Sequence, residues 1–441
     1  MSFIRDFFLH NQGNEIPKRY LLWSAYGALS SAIGPRVHID LHHIYVTPNI
    51  YIILVGKAGG RKTSARDKAY DLVVEALPSL TFSGDNDTYQ GIITAMERDT
   101  TRVNYVNERG EQAFYRPYCI FSPEFPDYLQ NNPIGMIAFI TNIYDRDRRH
   151  YIYRLKNEDR VLTFPYVTIL ACAPIEWFTD QIKAKQFAAG FGRRTVLVCN
   201  EGYTRKEPTI TQAERDAWIR CVEHLRRVQG IVGPMLIEPN AKEWFWKWYI
   251  NPQPLPSDSF LEAWRESWHI ILLKVAMLIS LSERSDRVVT IDYLQLALEQ
   301  LLDIEENLPL VTEHLGRSEI TKPLAHVLHI LRLNGGFMPE KLLKANTFKE
   351  FRDSREQWSA IEHLKRTDQV VAIEKADDKG IVRLYIALPQ CVVRSSPPPA
   401  SPPASLPTLA AAPSLSELTA ASAARVESAP PNPSPVEESM P

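Results

Sequence analysis

IYIILVGKAGGRKTSA, running from Ile50 to Ala65, is the stretch on which the reading of this chain turns. Ile50 to Val55 is apolar throughout, as a central strand covered on both faces must be. GKAGGRKTS then leads into RDKAYDLVVEAL, which has helical spacing. Strand, glycine-rich loop and helix make the setting of a phosphate-binding loop, whose pattern is G-x-x-x-x-G-K-[ST]. Backbone N–H groups of such a loop and of the helix N-terminus point at phosphate oxygens. The expected ATP-binding set is therefore Gly56, Lys57, Ala58, Gly59, Gly60, Arg61, Lys62, Thr63 and Ser64. Lys62 supplies the point charge for the terminal phosphates, and Thr63 offers its hydroxyl to Mg2+. Gly59 and Gly60 take positive φ at little cost.

Arg61 is the departure, because the pattern has glycine before the lysine. With helical backbone angles Arg61 can hold its side chain outward, where it adds positive charge to the loop. A phosphate-binding loop also needs an acidic strand. Tyr118 to Phe121 is a short apolar run ending in Ser122-Pro123-Glu124. Glu124 is placed to orient the attacking water, while Pro123 stands where many such ATPases carry a metal-tuning Asp. Ser122 is then a candidate to help Thr63 with the metal.

Farther along, PIGMIAFITNIYD reads as a helix and RHYIYRLKNEDRVLTF as a β-hairpin with a polar tip. PYVTILACAP is another buried strand, ending in the apolar Ala171, Cys172 and Ala173. AAGFGRRTVLVCNE sets Arg193 and Arg194 between a glycine turn and a further strand, Val196 to Cys199. This alternation argues for a parallel α/β sheet up to about Asn200. From Ala213 to Glu313 the spacing is helical. From Ile320 to Pro389 the order is helix, helix, helix, hairpin, that of a winged helix, whose third helix, with Lys365 and Arg366, suits binding to duplex DNA.

The composition bounds the rest. The chain has 441 residues and a net charge of -2, enough length for several domains and no global attraction to nucleic acid. Its 5 cysteines form no C-x-x-C pair, which fits a reducing cytosol rather than a disulfide framework or a zinc site. No run approaches the roughly 20 apolar residues of a membrane span, so a cytoplasmic protein is expected. Ser395 to Pro441 has no aromatic residue and is dominated by Pro, Ala and Ser, the signature of a disordered tail.

Taken in order, TPNIYIILVGKAGGRKTSA, FSPEF, NIYD with its hairpin, AAGFGRRTVLV and SWHIILLKVAMLISLSE resemble the primase/helicase-like P-loop ATPases of phages, plasmids and mobile elements. The layout is similar to AAA+ proteins, and the hairpin resembles the pre-sensor hairpin of superfamily 3 and minichromosome-maintenance helicases. The resemblance covers about Pro17 to Glu305, and Lys274 with Val275-Ala276 stands where that family often has Lys-Ala. It implies a ring-forming homo-oligomer moving on DNA. Lys156, Arg154 and Arg160 would touch DNA backbone, and Arg194, or its neighbour Arg193, would reach the next subunit's γ-phosphate. With no metal cluster of the primase type in the chain, primer synthesis is not expected.

The expected fold is thus an α/β P-loop NTPase core of AAA+ type at 49–205. An N-terminal helical segment at 1–48 packs on it. A helical lid at 206–317, a winged helix at 318–390 and a disordered tail at 391–441 follow. The expected function is an ATP-dependent DNA motor, with two alternatives. One is an ATP-gated helicase loader that docks a replication partner through the tail. The other is a weakly hydrolysing scaffold in anti-phage defence, which Pro123 and the apolar Ala171-Cys172-Ala173 favour.

Overall fold

The computed structural model describes residues 2–84, 87–129, 132–145, 149–154, 159–175, 177, 190–200, 202–207, 209–251, 259–284, 286–308, 321–351, 353–376 and 382–392. It is a mixed α/β structure built on a largely parallel sheet. Lys156, at the expected hairpin tip, and the expected tail from 393 onward lie outside the described residues. The chain divides into two compact units, one of Met1–Val327 with Glu350–Arg352 and the other of Leu328–Lys349 with Asp353–Pro441.

The first unit opens with helices α1 (Phe3–His10) and α2 (Lys18–Ile33). The segment expected to be helical to residue 48 then turns into a hairpin, β1 (Val37–Leu41) and β2 (Ile44–Val46). Its alternating pattern VHIDL suits one buried face. Strand β3 (Tyr51–Val55) follows, buried at every position. The loop after it leads into α3 (Lys62–Ala76), whose Ala65, Ala69, Leu72, Val73 and Ala76 form one apolar stripe. Next come α4 (Tyr89–Glu97), β4 (Val103–Val106), β5 (Gln112–Ser122), α5 (Phe125–Leu129) and α6 (Pro133–Ile143). The hairpin β6 (His150–Arg154) and β7 (Asp159–Thr163) precedes β8 (Pro165–Ala173) and β9 (Thr195–Cys199).

The central sheet runs β4-β5-β8-β3-β9. β5, β8, β3 and β9 are parallel, and β4 closes one edge antiparallel to β5. Phe82 adds a parallel bridge to Cys119 on the other half of β5's outer edge. The strand carrying Glu124 is therefore separated from the loop strand by β8. Register partners in the sheet point to one face. Tyr51 and Ile169 share a face, and the Tyr51 phenol donates to Ile140 O of α6 at 2.9 Å. Leu170 points to the other face, where a Cβ on Gly27 of α2 would come within 3.3 Å of it. Thus α6 covers one face, and α2, packed on α3, covers the other. Of the 16 residues of α2, 13 are buried, which is why its sequence lacks a polar stripe.

After the sheet come helices Gln212–Gln229, Pro239–Ile250, Ser259–Arg265, Trp268–Glu283 and Ile291–Asn307. This block is not purely helical as expected. β10 (Gly233–Pro234) pairs with β1, and β11 (Leu236–Ile237) with β12 (Val288–Val289). Such two-residue pairings carry no periodicity that a sequence reading can detect. The second unit has helices Glu340–Thr347 and Ser354–Arg366 and a sheet ordered β13 (Phe337–Pro339), β15 (Val382–Ala387), β14 (Val371–Ala376). Helix Thr321–Leu333 runs across the division between the units, so the expected boundary near 318 precedes the observed one. Among the described residues, no helix is long and apolar enough to cross a membrane.

His224, buried between the helix Gln212–Gln229 and Leu281, supplies a pH test of this packing. Arg227 can only donate, so its 2.6 Å contact makes Nδ1 an acceptor, and Nε2–H then donates to Leu281 O at 2.8 Å. Burial, opposed by the Leu281 carbonyl and aided by Arg227, lowers the imidazole pKa from 6.5 to about 4. Across that window the unfolded chain binds a proton that the folded state refuses. Stability therefore falls with pH, by about 3 kcal/mol in all. His224→Gln keeps one donor and one acceptor without titrating. Urea unfolding at pH 7 and pH 4.5 should show a clearly smaller loss in this variant than in the wild type.

Candidate nucleotide site

The loop Gly56–Arg61 leaves the C-terminal end of β3 beside β8, where Gly56 N–H still donates to Ala173 O at 3.3 Å. In open α/β sheets ligands bind at this end of the strands, where the strand order changes direction. Tyr20 of α2 fixes the start of the loop. Its phenol donates to Val55 O at 2.7 Å, and a Cβ on Gly56 would lie 2.5 Å from that oxygen. Gly56 is thus required by close approach, whereas Gly59 is required by its φ of 75°. A Cβ at Gly59 would meet nothing within 4 Å, so the loop is open on that side.

Lys62 is buried, and its ammonium curls back onto the loop, donating to Gly56 O at 2.7 Å and Lys57 O at 2.8 Å. Thr63 is exposed in the first turn of α3, and no side chain caps that helix N-terminus. Backbone N–H groups, a cation and a free helix end converge here, a donor set that fits phosphate. Lys57 and Ala58 are exposed on the loop, and Ser64 is partly buried at the start of the helix.

Arg61 corrects the expectation of helical angles. Its φ is 64° and ψ 16°, the left-handed region. The chain reverses there from loop to helix, which is why the motif prefers glycine; an L-residue costs about 1–2 kcal/mol in this conformation. The side chain points outward as expected, but its charge is not left to the site. Nε donates to Glu15 Oε2 at 2.9 Å, Nη2 bonds the same oxygen, and the guanidinium lies 4.8 Å from the Tyr203 ring centre. Hydrogen bonds from Lys206 N–H and then from Arg61 hold the Glu15 carboxyl below its ordinary range.

Glu124 follows β5, accessible to solvent. Partial desolvation raises its pKa above the usual carboxylate range, opposed by Lys62. Ser122 is buried, and Ala171, Cys172 and Ala173 end β8 with no exposure. Burial pushes the Cys172 thiol up to about 12, with Arg66 and Lys62 acting against that rise. Arg66, which the sequence reading passed over, lies one helical turn beyond Lys62. Its side chain is only 11% exposed, and it pairs with Asp67 at 3.0 Å. The repeat of Arg after RKTSA was the signal available for it.

The remaining expected residues lie elsewhere. Arg194 precedes β9, at the opposite end of the sheet from the loop: Thr195 pairs with Tyr51, and Cys199 with Val55. Four residue steps of strand put it at least about 13 Å from the Gly56–Arg61 loop. It contacts Asp145 Oδ2 and Gly190 O, both at 3.2 Å, and lies 5.7 Å from the Tyr144 ring. Arg193 beside it is exposed. Lys274 is buried, also near Tyr144, donating to Thr47 O at 3.0 Å and to Asn49 Oδ1. Arg160 bonds Thr94 Oγ1 of α4 at 2.8 Å, which turns it inward, while Arg154 is 78% exposed beside Asp159. In the second unit Lys365 is tied to Glu362 at 2.8 Å, and Arg366 is exposed.

No model of a known protein family matches the chain, and no curated protein matches it.

The Tyr20 contact gives a direct test of the loop geometry. Gly56→Ala should destabilise the protein by about 1–3 kcal/mol through overpacking, read as a lowered thermal midpoint. Adding Tyr20→Phe, which deletes the clashing oxygen, should recover part of that loss. Two strictly additive losses would contradict the contact.

Proposed function

We propose that this chain is a P-loop ATPase of AAA+ type that forms a ring and moves on DNA. The observation that carries the reading is the relation of Lys62 to Glu124. Their strands lie two places apart, about 10 Å at the usual spacing, with the apolar end of β8 between them. A terminal phosphoryl group with a water aligned behind it would suit that spacing. Phosphates would rest on the amides of Gly56–Lys62 and on the Lys62 ammonium. The accessible Thr63 hydroxyl would hold Mg2+, which offsets charge on the phosphates when bound. Glu124, its pKa raised, would orient the water and receive its proton.

Arg194 cannot serve its own loop across the sheet. It is suited to a neighbouring subunit's γ-phosphate, in which case it must leave Asp145. The hairpin β6–β7 supports the DNA part of the reading through the exposed Arg154. The second unit supports a winged helix by its order of helix, strand, helix, helix, strand, strand. The buried apolar end of β8 and Pro123 favour, as a second reading, slow turnover in a nucleotide-gated scaffold.

ATP hydrolysis and duplex unwinding by purified protein test the proposal. Lys62→Ala should abolish both, and unwinding that survives it would refute the motor. Glu124→Gln should keep ATP binding and slow hydrolysis by about 10²-fold or more; an unchanged rate would support the scaffold.

Arg194→Ala should cost about 10³-fold in hydrolysis. Mixing it with Lys62→Ala should restore activity, because each variant supplies what its neighbour lacks. A mixture as inactive as its parts would exclude action between subunits.

A further inference from the structure

The residue at which this loop departs from glycine is also tied to the N-terminal segment of the chain. Arg61 donates through Nε and Nη2 to Glu15 Oε2, and the Tyr203 ring lies 4.8 Å from its guanidinium. Glu15 is itself fixed. Its other oxygen accepts the Lys206 N–H at 3.1 Å, and the neighbouring Ile16 N–H is held by Asn14 Oδ1 at 3.0 Å. Five residues on, Tyr20 of the same N-terminal segment holds the other end of the loop through Val55 O. One short segment, NEIPKRY, therefore holds the phosphate loop at the strand residue that leads into it and at its last residue.

We propose that Glu15 and Tyr203 are positioning residues that act on the phosphate loop through Arg61. The proposal rests on the ATP reading above for its consequence in binding, though not for the latch itself. A glycine at position 61 would take the left-handed conformation at no cost but would leave the loop end free to move. Arginine there is strained, and the ion pair with ring cover holds the strained form in place. The pair also keeps the Arg61 charge on the outer side of the loop, so Lys62 remains the cation directed at the loop interior. The N-terminal segment thereby becomes part of the site: whatever moves residues 14–20 moves the loop.

The test uses the full chain with Glu15→Gln, Tyr203→Leu, Arg61→Gly and the Glu15→Gln/Arg61→Gly double variant. Amide hydrogen exchange of residues 57–63 in nucleotide-free protein reads the latch. Equilibrium titration with mant-ATP and Mg2+ reads its effect on binding. E15Q should speed loop exchange and weaken mant-ATP binding by about fivefold to tenfold, the effect of losing a charge-assisted hydrogen bond. It should change kcat by less than about twofold, because the loop is held equally in ground and transition states. Y203L, which leaves the ion pair intact, should weaken binding by about two- to threefold. In the R61G background E15Q should have no further effect.

Unchanged loop exchange in both E15Q and Y203L would overturn the proposal. An equal E15Q effect with and without R61G would overturn it too, since Glu15 would then act by another route. Tighter binding by E15Q would show that freed Arg61 turns to the phosphates, which also contradicts positioning. If wild-type protein bound no mant-ATP, the ATP reading would fall, while loop exchange would still decide the latch.

Discussion

β3 has strands on both edges and helices on both faces, and this single constraint organises the first unit. A strand so enclosed must have its N–H and C=O groups paired by neighbours, because an unpaired buried group costs about as much as a lost hydrogen bond. β8 and β9 supply those partners over all five residues. The chain can leave β3 only at its ends, so the glycine-rich loop is delivered to the C-terminal edge of the sheet. There it shares that edge with the end of β5 and Glu124, one strand beyond β8, and α3 begins with its N-terminus uncapped.

The two ends of β3 are treated differently. At the C-terminal end the loop is exposed at Lys57, Ala58 and Gly59, with the Lys62 ammonium folded back onto it. At the N-terminal end polar groups are closed in: Asn49 donates to Tyr144 O at 2.8 Å, and Lys274 lies 4.4 Å from the Tyr144 ring. Arg194 covers the same ring from the end of its helical turn. Tyr144 and Asp145, just after α6, thus tie the strand entry, the helix Trp268–Glu283 and the turn before β9 into one polar junction. A buried lysine there is satisfied by a carbonyl and an amide oxygen, a structural use of the residue that family resemblance alone would place in a motif.

The fold was largely legible where burial imposes a period. YIILV, PYVTILACA and TVLVC are apolar runs of strand length, and each forms a parallel strand buried throughout. The helix after the loop and the helix Ser354–Arg366 follow their apolar spacing. The short pairings β10 with β1 and β11 with β12 were not legible, since two residues carry no period. The candidate site was legible as a loop with a cation and as a carboxylate at a strand end. The outward direction of Arg61 was readable from sterics. Its left-handed backbone and its partners Glu15 and Tyr203, 46 and 142 positions away in the chain, were not.

The sequence by itself determined the strand–loop–helix unit at Ile50 to Ala76, because apolar runs, glycines and helical spacing act over a few residues. It determined the alternation of strands and helices that yields a parallel sheet. Only the tertiary structure decided that β8 stands between the loop strand and the acidic strand, that Arg194 lies at the far end of the sheet, and that Arg160 and Lys365 are committed to neighbours. It also decided that the charge of Arg61 is offset by an N-terminal glutamate. Side-chain pairing is set by which surfaces meet when the elements pack, and residues far apart in the chain carry no local mark of it.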